Sequence, residues 1–462
     1  MAGRPGRGAQ GQEQGRNEPA PINSYPQNAF HPSSDLNVVV FSNHSPGKSS
    51  LSPLTVYGEM GYFYPRVNIV LLTTDKGKYR NLLIFALALV SFCIIVSVFP
   101  FEYHDSDSSC YSRISQELAS RPLKTWCAPQ WWGHGGNEGL FRDHPPGIFW
   151  LSAVLVRIGI KDSRASLCAN FIYILLCLYF LFELAKVFGD AALGWAAVFG
   201  FVLTPIFLQY LIRANHEQPL NLAFVAGLYG LSRSRQSFGY RMLFIAALVF
   251  AVFIKGFSAV ILSILAFLFW LILSRNRKTF SLILIAHLIM VGVVVLFELW
   301  YRTITQSSFL SAYVAFQGGR TVDPAFHFFR KIYNFFWYGG RVLWFSAPWV
   351  YFLFYGIYRS LKKRTGLFKD RFIQFLLVGS LSILVFFSLS DRKADRYIFH
   401  AYLLFSLSGV YVLSQIKPKF LMFYRRHEKR LPLILALGLV LFSFIKIMIG
   451  NHFYTFIRFW PK

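Results

Sequence analysis

The sequence predicts an all-α polytopic membrane protein with about eleven transmembrane helices and a long first loop outside the membrane. Three observations predict it. The 462 residues are 55% Ala, Val, Ile, Leu, Met, Phe, Trp, Tyr or Cys and only 15% charged, where an average soluble domain carries roughly 25% charge. Apolar runs, most of them near the roughly 20 residues that cross about 30 Å of hydrocarbon, recur from Leu82 onward. Dense basic clusters alternate along the chain with segments of mixed charge, as cytoplasmic and outer loops do. Backbone groups in lipid must bond internally, so the runs read as helices.

In chain order, residues 1–75 come first. They are rich in Gly, Pro, Ser, Asn and Gln and have no sustained apolar period; 1–35 reads as disordered, and the whole as a cytoplasmic tail. No apolar core follows its basic start, so it is not a signal peptide. Asn43-His44-Ser45 matches a glycosylation sequon, but the topology places it in the cytoplasm. The clear spans are 82–101, 166–186, 191–211, 257–274, 280–301, 341–358, 372–390, 397–414 and 432–450. Two shorter runs, 216–232 and 242–254, flank Arg233, Arg235 and Arg241 and also count as spans. Glu183, Glu298 and Lys446 lie within or near spans.

The run 147–160 decides the orientation of everything after it. It is short, and Arg157 interrupts it. If it does not cross, then Lys76/Lys78/Arg80, Arg233/Arg235/Arg241, Arg275/Arg277/Lys278, the run from Arg359 to Arg371 and the run from Lys417 to Arg430 all lie inside. That satisfies the positive-inside bias at every dense basic loop. If it crosses, the four later clusters fall outside. The run is therefore read as an interfacial helix, with the N-terminus inside and the C-terminus outside. The net charge of +26 would suggest nucleic acid in a soluble protein; here much of it resolves into cytoplasmic loops, and no nucleic-acid partner is expected.

The 80–460 domain carries two long outer loops, 102–165 and 302–340. The first balances seven basic residues against seven acids, so it is neutral within a strongly basic protein. It opens with His104-Asp105-Ser106-Asp107-Ser108-Ser109-Cys110-Tyr111. A carboxylate at a partly desolvated interface can serve as general base; Asp and Ser are equally apt as a helix N-cap. His-x-Asp spacing also suits a divalent cation, but no metal or other cofactor is predicted. Near the loop's end, Arg142-Asp143-His144-Pro145-Pro146-Gly147 fixes His144 close to the membrane, as a phosphate or sugar contact or as a rigid elbow. Arg213 and Glu217, four residues apart, read as site groups or as an i,i+4 pair. Lys255 lies between two apolar runs and either snorkels or meets an anion. Arg396-Tyr397 reads as a site pair or an interfacial anchor, and Arg320 is a further candidate cation in the second outer loop. Cys110 and Cys127, the cysteines of the first outer loop, are candidates for a disulfide.

These residues together resemble the GT-C membrane glycosyltransferases of the protein O-mannosyltransferase and aminoarabinose (lipid A) transferase type. That family carries D-E-x-x-Y…I-x-x-E-(M/L) in its first outer loop, then K-P-P-L. Asp107-Ser108-Ser109-Cys110-Tyr111 and Ile114-Ser115-Gln116-Glu117-Leu118 keep the spacing, with Ser108 in place of the second acid. His144-Pro145-Pro146-Gly147 stands at K-P-P-L, Thr204-Pro205 with Arg213…Glu217 at T-P…R-x-x-x-D, Lys255-Gly256 at T-K-G and Arg396-Tyr397 at the late R-Y.

The resemblance implies a GT-C-like fold and an inverting transferase at the plasma membrane, in bacteria the inner membrane, with its active site facing outward. It implies a polyprenyl-phosphate-linked sugar as donor and a protein, glycolipid or cell-wall polymer as acceptor. Asp107 corresponds to the catalytic aspartate, with Asp105 as the other candidate. Lys255, Arg213, Arg396, His144 and Arg320 become candidate phosphate contacts, with Tyr111, Glu217 and Tyr397 beside them. Two other classes share parts of this pattern. A transporter or flippase of a lipid-linked saccharide would show mid-membrane charges and paired repeats. A polysaccharide polymerase or ligase more often carries its large loop late in the chain.

Overall fold

The structure is a computed structural model that describes residues 76–99, 103, 105–131, 139–160, 162–321, 327–363 and 366–449. The expected N-terminal tail, its sequon and His104 lie outside the described residues. Every regular element within them is a helix.

The chain starts with α1 (Lys76–Val98), then α2 (Ser106–Ser120) and α3 (Gly147–Arg157) from the first long loop. Next come α4 (Asp162–Val187), α5 (Ala191–Val202), the short α6 (Pro205–Tyr210), α7 (Glu217–Arg233), α8 (Phe238–Lys255) and α9 (Val260–Leu268). After α10 (Arg277–Thr305), α11 (Phe309–Thr321) lies in the second long loop. The chain ends with α12 (Phe328–Phe345), α13 (Trp349–Lys363), α14 (Arg371–Ser388), α15 (Phe399–Ile416), α16 (Lys419–His427) and α17 (Leu431–Ile449).

Among the described residues, seven helical runs are long and apolar enough to cross a membrane. The sequence predicts eleven, and the difference has local causes. One of the seven, Phe238–Ser274, has 37 residues; a straight helix of that length is about 55 Å long, nearly twice the hydrocarbon thickness. It is instead a hairpin. Gly256 takes φ +51°, and Ala247 and Leu262, on either side of it, both come against Gly227 of α7. The expected runs 242–254 and 257–274 are its two arms. The run 191–211 is divided at Thr204-Pro205, where proline removes a helical donor. The run 341–358 is divided between α12 and α13 around Pro348. The run 216–232 folds as the 17-residue α7, which carries buried Gln218 and Asn221.

The basic loops collect at one end of the bundle. Asp190, before α5, pairs with Arg425 of α16 at 2.7 Å. Phe188 stacks on Phe372 at the start of α14, with ring centroids 3.7 Å apart. Tyr229, near the end of α7, donates to Glu183 near the end of α4 at 3.3 Å. Each of these contacts brings an element next to a stretch with several Lys and Arg (the end of α7, the start of α14, or α16) against the segment 183–190. The opposite end carries the acids of the first long loop and those just before α15.

The run 147–160 folds as the 11-residue α3, about 16 Å long and roughly half a membrane crossing. It lies against α2. Arg157 donates from Nε to the Ala119 carbonyl at 2.9 Å, and its guanidinium sits 4.9 Å from the Trp126 ring. The α2–α3 pair thus forms a shelf at the acid-bearing end. Gly147 lets α3 start directly against the Phe253 backbone of α8.

The outer helices present apolar faces outward, as lipid-facing helices do. On α10, Leu284, Leu288, Val291, Val295 and Leu299 are all exposed. The centre is different. α15 is buried along nearly its whole length and carries buried His400, Ser406 and Ser408. Small residues let neighbours approach it closely, the usual packing device where apolar faces have no water to escape. A Cβ on Gly409 would fall on the Trp349 carbonyl, and one on Gly356 of α13 would strike Val412. Gly409→Val should therefore lower the thermal midpoint of the purified protein sharply, at the scale of about 1–3 kcal/mol for overpacking. Gly292 of α10 has nothing within 4 Å of its added Cβ. Gly292→Ala should leave the midpoint unchanged or raise it slightly; equal losses in both variants would contradict the packing account.

Candidate active site

The site is built on four elements that meet at the acid-bearing end. The first is the start of α2. Asp105 is its N-cap, and its Oδ1 accepts from the Ser108 N–H at 2.8 Å. Its other oxygen lies 3.9 Å from Arg213 Nε. Asp107, two residues on, sits in the first helical turn and turns its carboxylate to the Arg396 guanidinium. Both side chains of that pair remain about one third exposed. The two acids are thereby separated: Asp105 is occupied by the helix cap, and Asp107 faces an accessible cation.

The second element is the connector into α7. Arg213 stacks over Tyr210, 4.6 Å from its ring centroid. Its sequence spacing to Glu217 suggests an i,i+4 pair. The structure gives each a different partner, because Arg213 precedes the helix that Glu217 begins. Glu217 is instead bonded by Lys255 Nζ at 3.3 Å. Lys255, at the tip of the α8–α9 hairpin, is buried and does not snorkel. Its ammonium points to Glu217 and lies 5.5 Å from the Tyr397 ring. The hairpin tip is held from α11: the Phe257 N–H donates to Tyr313 Oη at 3.1 Å, and that hydroxyl donates to the Lys255 carbonyl at 3.4 Å. Gly256 is needed here twice, for its positive φ and because any Cβ would collide with the Tyr313 hydroxyl.

The third element is the loop before α3. His144 lies 4.2 Å, centroid to centroid, from His216, and Tyr111 packs edge-on against both rings. Burial holds the Tyr111 hydroxyl well above its ordinary pKa, with the Glu217 charge adding to it. Tyr111 therefore stays a neutral donor and cannot serve as a base. Gln317 of α11 donates to the Asp143 carbonyl at 2.6 Å, so α11 also clasps this loop.

The fourth element is the turn that starts α15. It supplies Arg396 and Tyr397, and Asp395 pairs with Arg341 of α12 at 3.0 Å. One turn deeper, His400 Nδ1 meets Asn221 Oδ1 at 2.6 Å. Sequence reasoning missed this pair and Arg341. The signal was present: His400 is four residues past Arg396, and Asn221 four past Glu217, so each lies one helical turn below a site residue.

The result is three cations, each facing an acid: Arg213 with Asp105, Lys255 with Glu217, Arg396 with Asp107. His216 Nε2, Glu217 Oε2 and both amide atoms of Gln218 are buried without a protein partner among the described residues. Such atoms require water or a polar ligand. Beside this array, an apolar groove of about 430 Å³ runs between α9 and α14, lined by Ile264, Val378, Leu381, Ser382, Val385, Phe386 and Leu389. Its upper end approaches the charges: Phe387, next to the groove residue Phe386, stacks on Tyr397, the ring beneath Lys255. No cluster of three metal-ligating side chains occurs among the described residues. Arg320 falls in α11, and its side chain lies outside the described residues.

Cys110 and Cys127 are both free thiols here, not a disulfide. Cys110 lies on the α2 shelf, whereas Cys127 packs with Phe297, Tyr301, Phe309 and Tyr313 in a separate apolar cluster. Burial pushes both thiols up from 9.0 to about 11. Both should thus resist alkylation of the native protein at pH 7.5, and labelling should accelerate as pH rises toward 11. Peptide mass spectrometry after native alkylation checks this; a Cys110–Cys127 linked peptide would contradict it.

Known proteins share both the fold and part of the sequence pattern. Residues 143–301 match the dolichyl-phosphate-mannose-protein mannosyltransferase family. No curated protein matches the chain by sequence. Two solved structures of ArnT from Cupriavidus metallidurans share the fold. The one bound to undecaprenyl phosphate has a TM-score of 0.58 at 16% identity, over 74% of this chain and 61% of ArnT. The apo form has a TM-score of 0.56 at 16% identity, over 75% of this chain and 61% of ArnT. The oligosaccharyltransferase AglB from Archaeoglobus fulgidus, in complex with an inhibitory peptide and a dolichol-phosphate, aligns at 15% identity with a TM-score of 0.48, over 80% of this chain and 55% of AglB. The chain thus spans about three fifths of ArnT's length. Its fold is that of the GT-C membrane glycosyltransferases, as the motif order implied.

Proposed function

We propose that this chain, built on the GT-C fold, is itself a membrane glycosyltransferase that moves a sugar from a polyprenyl-phosphate donor to an acceptor hydroxyl, with inversion. The observation that carries the reading is the joining of two unlike environments. An apolar groove is lined by α14 residues up to Leu389, and Phe387 at that end of α14 stacks on Tyr397, the ring beneath Lys255. Arg396, next to Tyr397 in the chain, pairs with the partly exposed Asp107. A donor whose tail fills the groove brings its phosphate to Lys255 and Arg396. The undecaprenyl phosphate bound to ArnT supports a donor of this class.

In this reading, Asp107 takes the proton of the acceptor hydroxyl. The acceptor oxygen forms its bond to the anomeric carbon as the bond from that carbon to the phosphate oxygen breaks. The polyprenyl phosphate leaves with the electron pair. Lys255, Arg396 and Arg213, with His144 beside them, stabilise the charge it gains. Arg396 has a double role: it pairs with the Asp107 carboxylate before substrate arrives, and phosphate bound to it frees Asp107 to act as base. The basic loops at the opposite end support a cytoplasmic position for that end, with the site outside.

Asp107→Asn should reduce kcat by roughly 10²–10⁴-fold, the contribution of a positioned base. Asp105→Asn should stay within about tenfold of wild type, because Asn caps α2 as well as Asp does. Turnover of an undecaprenyl-phosphate sugar in proteoliposomes reads both, and the reverse order would move the base to Asp105. Leu381→Trp and Val385→Trp, which fill the groove, should raise KM for a long-chain donor while leaving a short-chain analogue unaffected. Equal KM changes for both donors would remove the groove from the reading.

A further inference from the structure

Among the described residues, Lys446 is the most deeply buried charge outside the site. It lies in α17 at 0% exposure. Its Nζ donates to the carbonyls of Leu208 and Gln209, each at 2.6 Å. These belong to α6, which has only six residues, so its last carbonyls lack a following turn to bond them. A lysine in the membrane interior is a costly way to bond carbonyls.

The segment beyond α6 accounts for the position. The connector 211–216 carries Arg213 and His216 and leads straight to Glu217. Its backbone is tied from two more helices. Asn170 of α4 donates from Nδ2 to the Leu211 carbonyl at 3.2 Å, and the Ala214 N–H donates to Ser108 Oγ of α2 at 3.0 Å. Side chains from α17, α4 and α2 therefore hold the chain that carries Arg213 and leads to Glu217. Of these three only Lys446 is charged, and Arg213 and Asp105 lie within its electrostatic reach. A displacement of about 1 Å in a site group can cost about 10²-fold in rate, so the fixing of this backbone matters to chemistry.

We propose that Lys446 is a positioning residue: from the C-terminal helix it sets the connector that places Arg213 opposite Asp105 and Glu217 opposite Lys255. This rests on the glycosyltransferase reading for its role in transfer, but its structural core does not. The test compares full-length wild type with Lys446→Arg, Lys446→Gln and Lys446→Met in nanodiscs, using undecaprenyl phosphate as the probe. Lys446→Met should bind the probe at least about tenfold more weakly, with the thermal midpoint of the unliganded protein within a few degrees of wild type. Lys446→Arg should restore binding to within about threefold. Hydrogen exchange should quicken in peptides covering 208–216 and not in those from α8 or α15. Lys446→Gln, which keeps a donor without the charge, should fall between Lys446→Met and Lys446→Arg in both readouts. Unchanged exchange at 208–216 in Lys446→Met overturns the positioning role, as does uniform loosening of the whole protein. If wild type fails to bind the probe, the donor assignment falls, and the exchange data still decide the role of Lys446.

Discussion

A lysine and a glutamate removed together from water, Lys255 and Glu217, impose the geometry around them. Their side chains are 8% and 1% exposed. Neither tolerates loss of the other, since an uncompensated buried charge typically costs about 3–5 kcal/mol. The pair joins the start of α7 to the end of α8, at the tip of the α8–α9 hairpin, where the chain reverses. The reversal requires Gly256, and Gly256 in turn admits Tyr313 from the second long loop. One ion pair thus ties the hairpin, the second loop and the base of the site into a single arrangement.

The other charges obey the same logic at lower burial. Asp105 and Asp107 lie on one helix, two residues apart, yet the cap takes the first and the Arg396 guanidinium takes the second. Their different surroundings come from backbone geometry rather than residue type. The three acid–cation pairs make the array neutral before substrate arrives. In the proposed reaction that suits a phosphate that enters as a diester and leaves as the more highly charged monoester, because a bare cluster of three cations would bind the product too tightly to release.

Much of this was legible in the sequence. The apolar runs located the helices, and Arg157 within a short run set α3 apart from the longer ones. The basic clusters sorted the two ends of the bundle, because the bias toward one side depends on local composition alone. Asp107, Arg213, Lys255 and Arg396 stood out because charged groups at span ends are rare against an apolar background. What could not be read was pairing. Arg213 and Glu217 have helical spacing, but the helix starts at Glu217, so the spacing misled. Lys255 was expected to snorkel or to meet an anion, and the anion proved to be the Glu217 side chain at the start of α7. Cys110 and Cys127 share one loop, yet one stays on the α2 shelf and the other enters a different apolar cluster.

Composition and periodicity by themselves determined the class of this protein: helices that satisfy their own backbone in lipid, a charge asymmetry between ends, and an acid-bearing loop next to isolated cations. Those properties depend on neighbours along the chain. Tertiary structure alone decided which acid meets which cation, where the α8–α9 run reverses, and that Lys446, far from the motifs in sequence, bonds the backbone leading into them. Those are contacts between residues up to 289 positions apart, set by how helices pack against one another, and no local pattern encodes them.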